Sequence, residues 1–378
     1  MALNLSTLTS PATSGDVLAE VLTTADFLEP CPVLKNLARG SNKGGDAEQA
    51  VALLQPKALP LIDGDGYLYL SGVNGNYVSF PSANLTGEHE VIVKLHSRAG
   101  VNISGHIYED AYQVRSYGSY YRIQTTSGSV NIGVGNPNAS ISGTKWVKIT
   151  YVPDNGTGNL EFAMYVSDNG SSWTSLGSGT LPSFTLVPPA NTTISSAISY
   201  LVKGAIFEVI VKDGIGGTVV TNIDFTATNV RHGDTKFKCA TGQTVTINQS
   251  GNDPATIIRK PVLRFDGVDD GFKGLFNQTI DGGYMFAAFS VLGNGGETSA
   301  RVFSINSTGV EDYQSTGSVL SAFRGTNLSR YASGVFWDTL HASMSDDDNG
   351  DILHEIKIEA NAQVSRVNNA DEATRTTD

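Results

Sequence analysis

From Gly66 onward the chain is a succession of short segments in which apolar and polar residues alternate, cut at near-regular intervals by Gly, Asn, Asp, Ser and Pro: YLYLSGVNGNYVSF, EVIVKLHS, YYRIQTT, SVNIGV, WVKITYV, LEFAMYVS and AIFEVIVKD. A period of two suits an extended strand, whose side chains alternate between two faces, and leaves a helix no continuous apolar stripe. Many short strands with no helical pattern between them predict an antiparallel β sandwich or jelly roll. The composition agrees: only 16% of residues are charged and 41 are glycine, as frequent tight turns require. In WVKITYV, Trp146, Lys148, Thr150 and Val152 share one face and Val147, Ile149 and Tyr151 the other, so one side is core and the other wetter. Between LEFAMYV and SSWTSLGS, the run Ser167-Asp-Asn-Gly170 predicts a hairpin, because Asn-Gly readily takes the positive φ angles of a tight turn.

At 378 residues the chain is long enough for two or three domains. Residues 1–56 stand apart as an arm. Within residues 15–37 the apolar positions Val17, Leu18, Val21, Leu22 and Leu28 have helical spacing before Pro30 and Pro32. Its apolar face needs a partner, either the β domains or another protein, which makes the arm a candidate anchor. Residues 57–230 form the first expected sandwich, closing near residues 223–229, and 231–261 a connector. Residues 262–378 repeat the order of the first cycle, with VLRFDGVDDG, YMFAAFSVL, RVFSINS, VLSAFRG and HEIKIEA as strands. This second cycle reads as incomplete, because little more than RVNNADEATRTTD follows its last strand, and an open sheet edge is then available for pairing.

The formal net charge of −12, with no cluster of Lys and Arg, argues against nucleic acid as a partner. No apolar run approaches membrane-spanning length, so membrane insertion is not expected. The first residues, MALNLSTLTSPATSG, carry no basic stretch followed by an apolar run, so no secretory leader is expected. Asn-x-Ser/Thr triplets, for example at Asn84, Asn102, Asn155 and Asn327, then read as a by-product of polar turns. Cys31 and Cys239 form no CxxC pair and read as isolated thiols.

The stretch LRFDGVDDGF (263–272) resembles the opening strand of laminin-G-like or concanavalin-A-like jelly-roll domains. The YLYLSGVNGNYVSF opening, the FAMYVSDNGSSWTSLG hairpin and the KGAIFEVIVKDGIGGTVVTNIDF closing segment are similar to the same modules in bacteriophage virion proteins. The resemblance covers about residues 66–228 and 262–378. It implies an all-β chain of two antiparallel jelly-roll sandwiches after a partly helical arm, of a kind attached to tails, fibres or capsid surfaces and associated with glycans. It brings no matched set of ligand residues.

Several groups carry chemistry of their own. In FDGVDDG, Asp266, Asp269 and Asp270 place three carboxylates around Gly267, where their oxygens could hold a calcium ion. Asp capping its own turn is the commoner arrangement, and the spacing lacks the five or six ligands of a dedicated loop. The run Ser345-Asp-Asp-Asp-Asn-Gly-Asp351 also reads as a solvated acidic turn. Tyr112, Tyr117, Tyr120 and Tyr121 lie beside Arg115 and Arg122. Flat rings with a hydroxyl tip suit stacking on sugars or a protein interface, and cross-strand packing is their structural alternative. Trp173 has the same ambiguity, with burial favoured. Glu355-Ile-Lys-Ile-Glu359 resembles the Glu-x-Asp-x-Glu signature of laminarinase-type glycosidases, but Lys357 stands where the acidic partner belongs, so an ordinary polar strand face is expected. None of His89, His96, His106, His232, His341 and His354 pairs at zinc-ligand spacing, and no nucleophile elbow or phosphate loop occurs.

The expectation is therefore a non-enzymatic virion protein: a phage appendage, fibre or capsid decoration, held to other virion proteins by residues 1–56. It would be homo-oligomeric, made in the host cytoplasm and exposed on the particle, and would attach to host-surface polysaccharide through Tyr112, Arg115, Tyr117, Tyr120 and Tyr121. A glycan-degrading enzyme on the same fold and a bacterial surface adhesin are the alternatives.

Overall fold

A computed structural model describes residues 57–264 apart from the short stretches 98–103, 118, 140–141, 184, 196–200, 251–252 and 260–261; it also describes residues 33–34 and 47–48 and the backbone of strands between 283 and 376. Lys57–Arg264 fall in one compact unit and Phe265–Asp378 in a second. The described residues are almost entirely antiparallel β strands, as expected, with one short 3-10 turn at Pro137–Ala139. Of the 15–37 stretch only Val33–Leu34 (β1) is described, lying after the two prolines and paired with Ala47–Glu48 (β2); the expected helix lies outside the described residues.

The first unit contains β3 (Lys57–Leu59), β4 (Tyr67–Ser71), β5 (Tyr77–Pro81), β6 (His89–Ser97), β7 (Ser104–Glu109), β8 (Gln113–Tyr117), β9 (Tyr121–Thr125), β10 (Gly128–Ile132), β11 (Gly143–Val152), β12 (Asn159–Ser167), β13 (Thr174–Pro182), β14 (Asn191–Ile194), β15 (Lys203–Asp213), β16 (Thr218–Asp224), β17 (Lys236–Lys238), β18 (Thr244–Asn248), β19 (Thr256–Ile258) and β20 (Val262–Arg264). They make two antiparallel sheets. One has the order β13-β12-β11-β6-β15-β4-β19, with β16 also on β15. The other runs β10-β9-β8-β7-β14-β5-β18-β17.

The core lies between these sheets because the alternating pattern of each strand points inward in register. Ile223, Val209, Val93, Val147 and Val166 face one another across five strands, and all are buried. Phe162, Tyr112 and Tyr151 fill one part of the interior with ring centres 4.9–6.1 Å apart. Burial of each such large side chain contributes about 1.5–3 kcal/mol. Where the sheet edges β10 and β13 meet, Gly179 has no side chain because a methyl there would collide with Val130. A second, smaller cluster of Leu59, Ile62, Tyr67, Tyr69, Ala205, Phe207 and Ile258 lies apart from this interior.

The expected connector at 231–261 is corrected: β17 and β18 extend one sheet and β19 the other, so these residues belong to the sandwich. Thr246 pairs Ser79 and Ile257 pairs Leu68, which gives these short polar strands backbone partners inside the unit. Val262–Arg264, expected to open the second cycle, pairs instead with Lys57–Leu59, so the unit's entry and exit strands are tied together. The 167–170 hairpin joins β12 and β13 as predicted, but its turn is not the tight two-residue type. Val166 pairs Thr174, leaving a longer loop in which Gly170 has positive φ and Asn169 does not. The Ser167 hydroxyl accepts from the Asn169 and Gly170 amides, and the Asn169 side-chain oxygen accepts from the Ser171 and Ser172 amides.

Beyond residue 264 lie β21 (Gly283–Phe289), β22 (Ala300–Ile305), β23 (Val319–Arg324), β24 (Asn327–Ala332), β25 (Asp338–Thr339), β26 (Ile352–Glu359), β27 (Ala362–Val367) and β28 (Asp371–Thr376). They form two four-stranded antiparallel sheets, β21-β26-β27-β28 and β22-β23-β24-β25. Every segment expected as a strand here after the opening one is a strand, and two further strands, β27 and β28, follow the last of them, where little more was expected. Among the described residues no helix is long and apolar enough to cross a membrane.

Candidate binding face

The inward register dictates what faces outward. One residue further along each strand, Asp224, Glu208, Lys94, Trp146 and Ser167 make a continuous cross-strand row, followed by Asn222, Ile210, Ile92, Lys148 and Tyr165. Trp146 and Lys148 therefore share the outer face while Val147, Ile149 and Tyr151 are buried, as the alternation in WVKITYV predicts. The register shift between Ile206 and Glu208 makes Phe207 the extra residue of a β-bulge, a device that re-aims side chains. Phe207 packs near Tyr67, with ring centres 5.9 Å apart.

This face combines rings with ammonium groups. Lys94 Nζ lies 4.7 Å from the Phe207 ring centre and 5.5 Å from that of Trp146, and 3.7 Å from Asp65 Oδ2. Lys148 Nζ stands 4.8 Å from the Tyr165 ring centre and 4.4 Å from that of Trp173, within the range of cation–π attraction. Two of the chain's three tryptophans thus bear on it. The long turn contributes as well: Gly170 lies against Trp146, where an added methyl would come within 3.0 Å of the indole, and its φ of +72° suits glycine. Trp173 is half-buried on this outer face rather than in the core, because it ends the loop before β13 and lies by Lys148.

Charge on the face is mostly paired. Lys212 binds Glu90 at 2.8 Å on this face, and near the start of β11, on the alternate parity, Lys145 pairs with Asp168. Glu208 and Asp224 oppose each other directly across β15 and β16. Burial, and then the Asp224 charge, push the Glu208 carboxyl above its ordinary range, while Lys94 partly offsets them. One Asp224 oxygen accepts from the Thr226 amide at 2.7 Å and hydroxyl at 2.6 Å.

The tyrosines read as one exposed group are split by the fold, which corrects the expected glycan surface. Tyr112 is 2% exposed and its hydroxyl meets His89 Nε2 at 3.1 Å; Tyr121 is fully buried. Burial pushes both hydroxyls up and the His89 ring down in pKa. Arg115 is buried as well, donating to Gln113 Oε1 at 2.5 Å. Only Tyr117 and Tyr120 remain half-exposed, stacked with ring centres 5.0 Å apart and Arg122 at 5.7 Å from Tyr117. Asp266, Asp269 and Asp270, and the 345–351 acidic run, lie outside the described residues. Glu355, Lys357 and Glu359 alternate along β26 and so share a strand face. Among the described residues no group of three His, Cys, Asp or Glu side chains is placed to hold a metal.

No protein-family model matches the chain, and no curated protein matches it. Among solved structures it is similar to domains LG4-5 of the mouse laminin alpha1 chain, at 12% identity and a TM-score of 0.30 over 86% of this chain and 82% of that one. It is also similar to the LG1-3 region of the laminin alpha2 chain, at 9% identity and a TM-score of 0.26 over 82% of this chain and 56% of that one.

Proposed function

We propose that this chain is a non-enzymatic binding protein of a bacteriophage virion, an appendage, fibre or decoration held by residues 1–56, whose 57–264 sandwich attaches to host-surface polysaccharide. The observation that carries the binding role is the outer face bearing Trp146, Tyr165 and Trp173, whose rings are fixed by Lys94 and Lys148. Flat rings of this kind suit the apolar faces of pyranoses. The virion setting is supported by the sequence resemblance of the opening, hairpin and closing segments, and a homo-oligomer follows the symmetry common in such assemblies. Calcium at Asp266, Asp269 and Asp270 is a further element of this reading.

The test is a glycan array and intact host cells probed with the purified chain, with calcium and with chelator. Binding to polysaccharides, weakened by chelator if the aspartates hold calcium, is the expected result; a folded chain that binds no glycan and no cell overturns the proposal. The glycan-degrading alternative is favoured by one observation, the opposed Glu208–Asp224 pair with its raised Glu208, since glycosidases use two carboxylates in unlike states. Cleavage of array glycans, abolished by Glu208→Gln, would put that reading in place of the first.

A further inference from the structure

We infer that Lys148 is the charge-recognition point of this face and that its ligand is an acidic pyranose, a sugar ring carrying a carboxylate; this rests on the glycan-binding reading above. Of the other lysines on the same sheet, Lys212 has Glu90, Lys94 has Asp65 and Lys145 has Asp168, while Lys203, at the exposed start of β15, has neither an acidic partner nor a ring among the described residues. Lys148 differs from all four. Among the described residues no carboxylate lies within ion-pair distance of it, and its partners are the rings of Tyr165 and Trp173. Its cross-strand neighbours in register are Ile92, which is 7% exposed, and Tyr165.

Two rings hold the ammonium in a fixed, partly dehydrated place, and such a group gains most from a charge-assisted bond to an incoming anion. The surroundings decide which anion. One unpaired ammonium matches one carboxylate per sugar ring, and Trp146 and Trp173 beside it supply apolar area for that ring. A sugar carrying several charges per ring, such as a polysulfated one, is disfavoured by the single ammonium and by the net charge of −12. The carboxylate could belong to a uronic acid or a sialic acid, and the probes separate the two.

The experiment measures binding of the full chain to oligogalacturonate and its methyl ester, and to sialyllactose and lactose, by calorimetry at two salt concentrations. At least one acidic member should bind at least about tenfold more tightly than its neutral counterpart. High salt should weaken that binding. Lys148→Met, which keeps an apolar side chain between the rings, should lose the same factor with its melting temperature unchanged. Equal binding of acid and neutral forms, an unaffected Lys148→Met, or tighter binding of a phosphopeptide measured beside these sugars overturns the inference. Array binding confined to neutral glycans overturns it alone, whereas binding to no glycan overturns the parent reading too.

Discussion

The two faces of the β12-β11-β6-β15 sheet are built by the same strands and differ in almost every other respect. Inward, Val209, Val93, Val147 and Val166 form a row of one residue type, interchangeable in chemistry and closely packed. Outward, one step along, Glu208, Lys94, Trp146 and Ser167 form a row of four different chemistries. The inner row holds the sandwich together through apolar burial, for which shape and volume matter more than identity. The outer row contributes less to folding and more to what can approach the sheet, because its rings and charges keep a side toward solvent.

That contrast is broken or sharpened by substitution on each face. The largest effect on stability is expected inside: Phe162→Ala removes a ring packed on Tyr112 and Tyr151 and should cost about 3–5 kcal/mol in urea unfolding. A cost under about 1 kcal/mol would mean that this interior is not packed as described. A smaller, pH-dependent effect is expected at Glu208. Its folded-state pKa is raised, so the protonated form is favoured in the folded protein; that stabilisation is present below the ordinary carboxylate value and is lost as pH rises through the raised value. Glu208→Gln should therefore raise the melting temperature at pH 7.5 more than at pH 4. Equal shifts at both pH values would remove the Asp224 repulsion and burial from the account.

Much of the fold was legible because strand alternation is a local property. The faces of WVKITYV follow from counting residues, and so do the strands YMFAAFSVL, RVFSINS and HEIKIEA. The connector was misread because β17 and β19 are only three residues each, too short for a period to register. The tyrosine group was misread because clustering in sequence was taken for clustering on a surface. Parity separates them, since Tyr121 and Ile123 point inward while Arg122 between them does not. The outer face of β11 was legible, but the cross-strand row it belongs to was not. Asp224, Glu208, Lys94 and Trp146 come from four strands, and their alignment depends on register and on the Phe207 bulge, neither of which leaves a mark in the composition.

The smallest effect on stability and the largest on binding are expected together in one variant, Trp146→Ala with Trp173→Ala. The direct measurement is glycan-array binding and thermal unfolding of this double variant beside the unaltered chain. The account predicts an intact sandwich, with a stability loss well below that of Phe162→Ala, and loss of glycan binding. Undiminished binding by the folded variant would contradict it and move the search for the ligand site off this face.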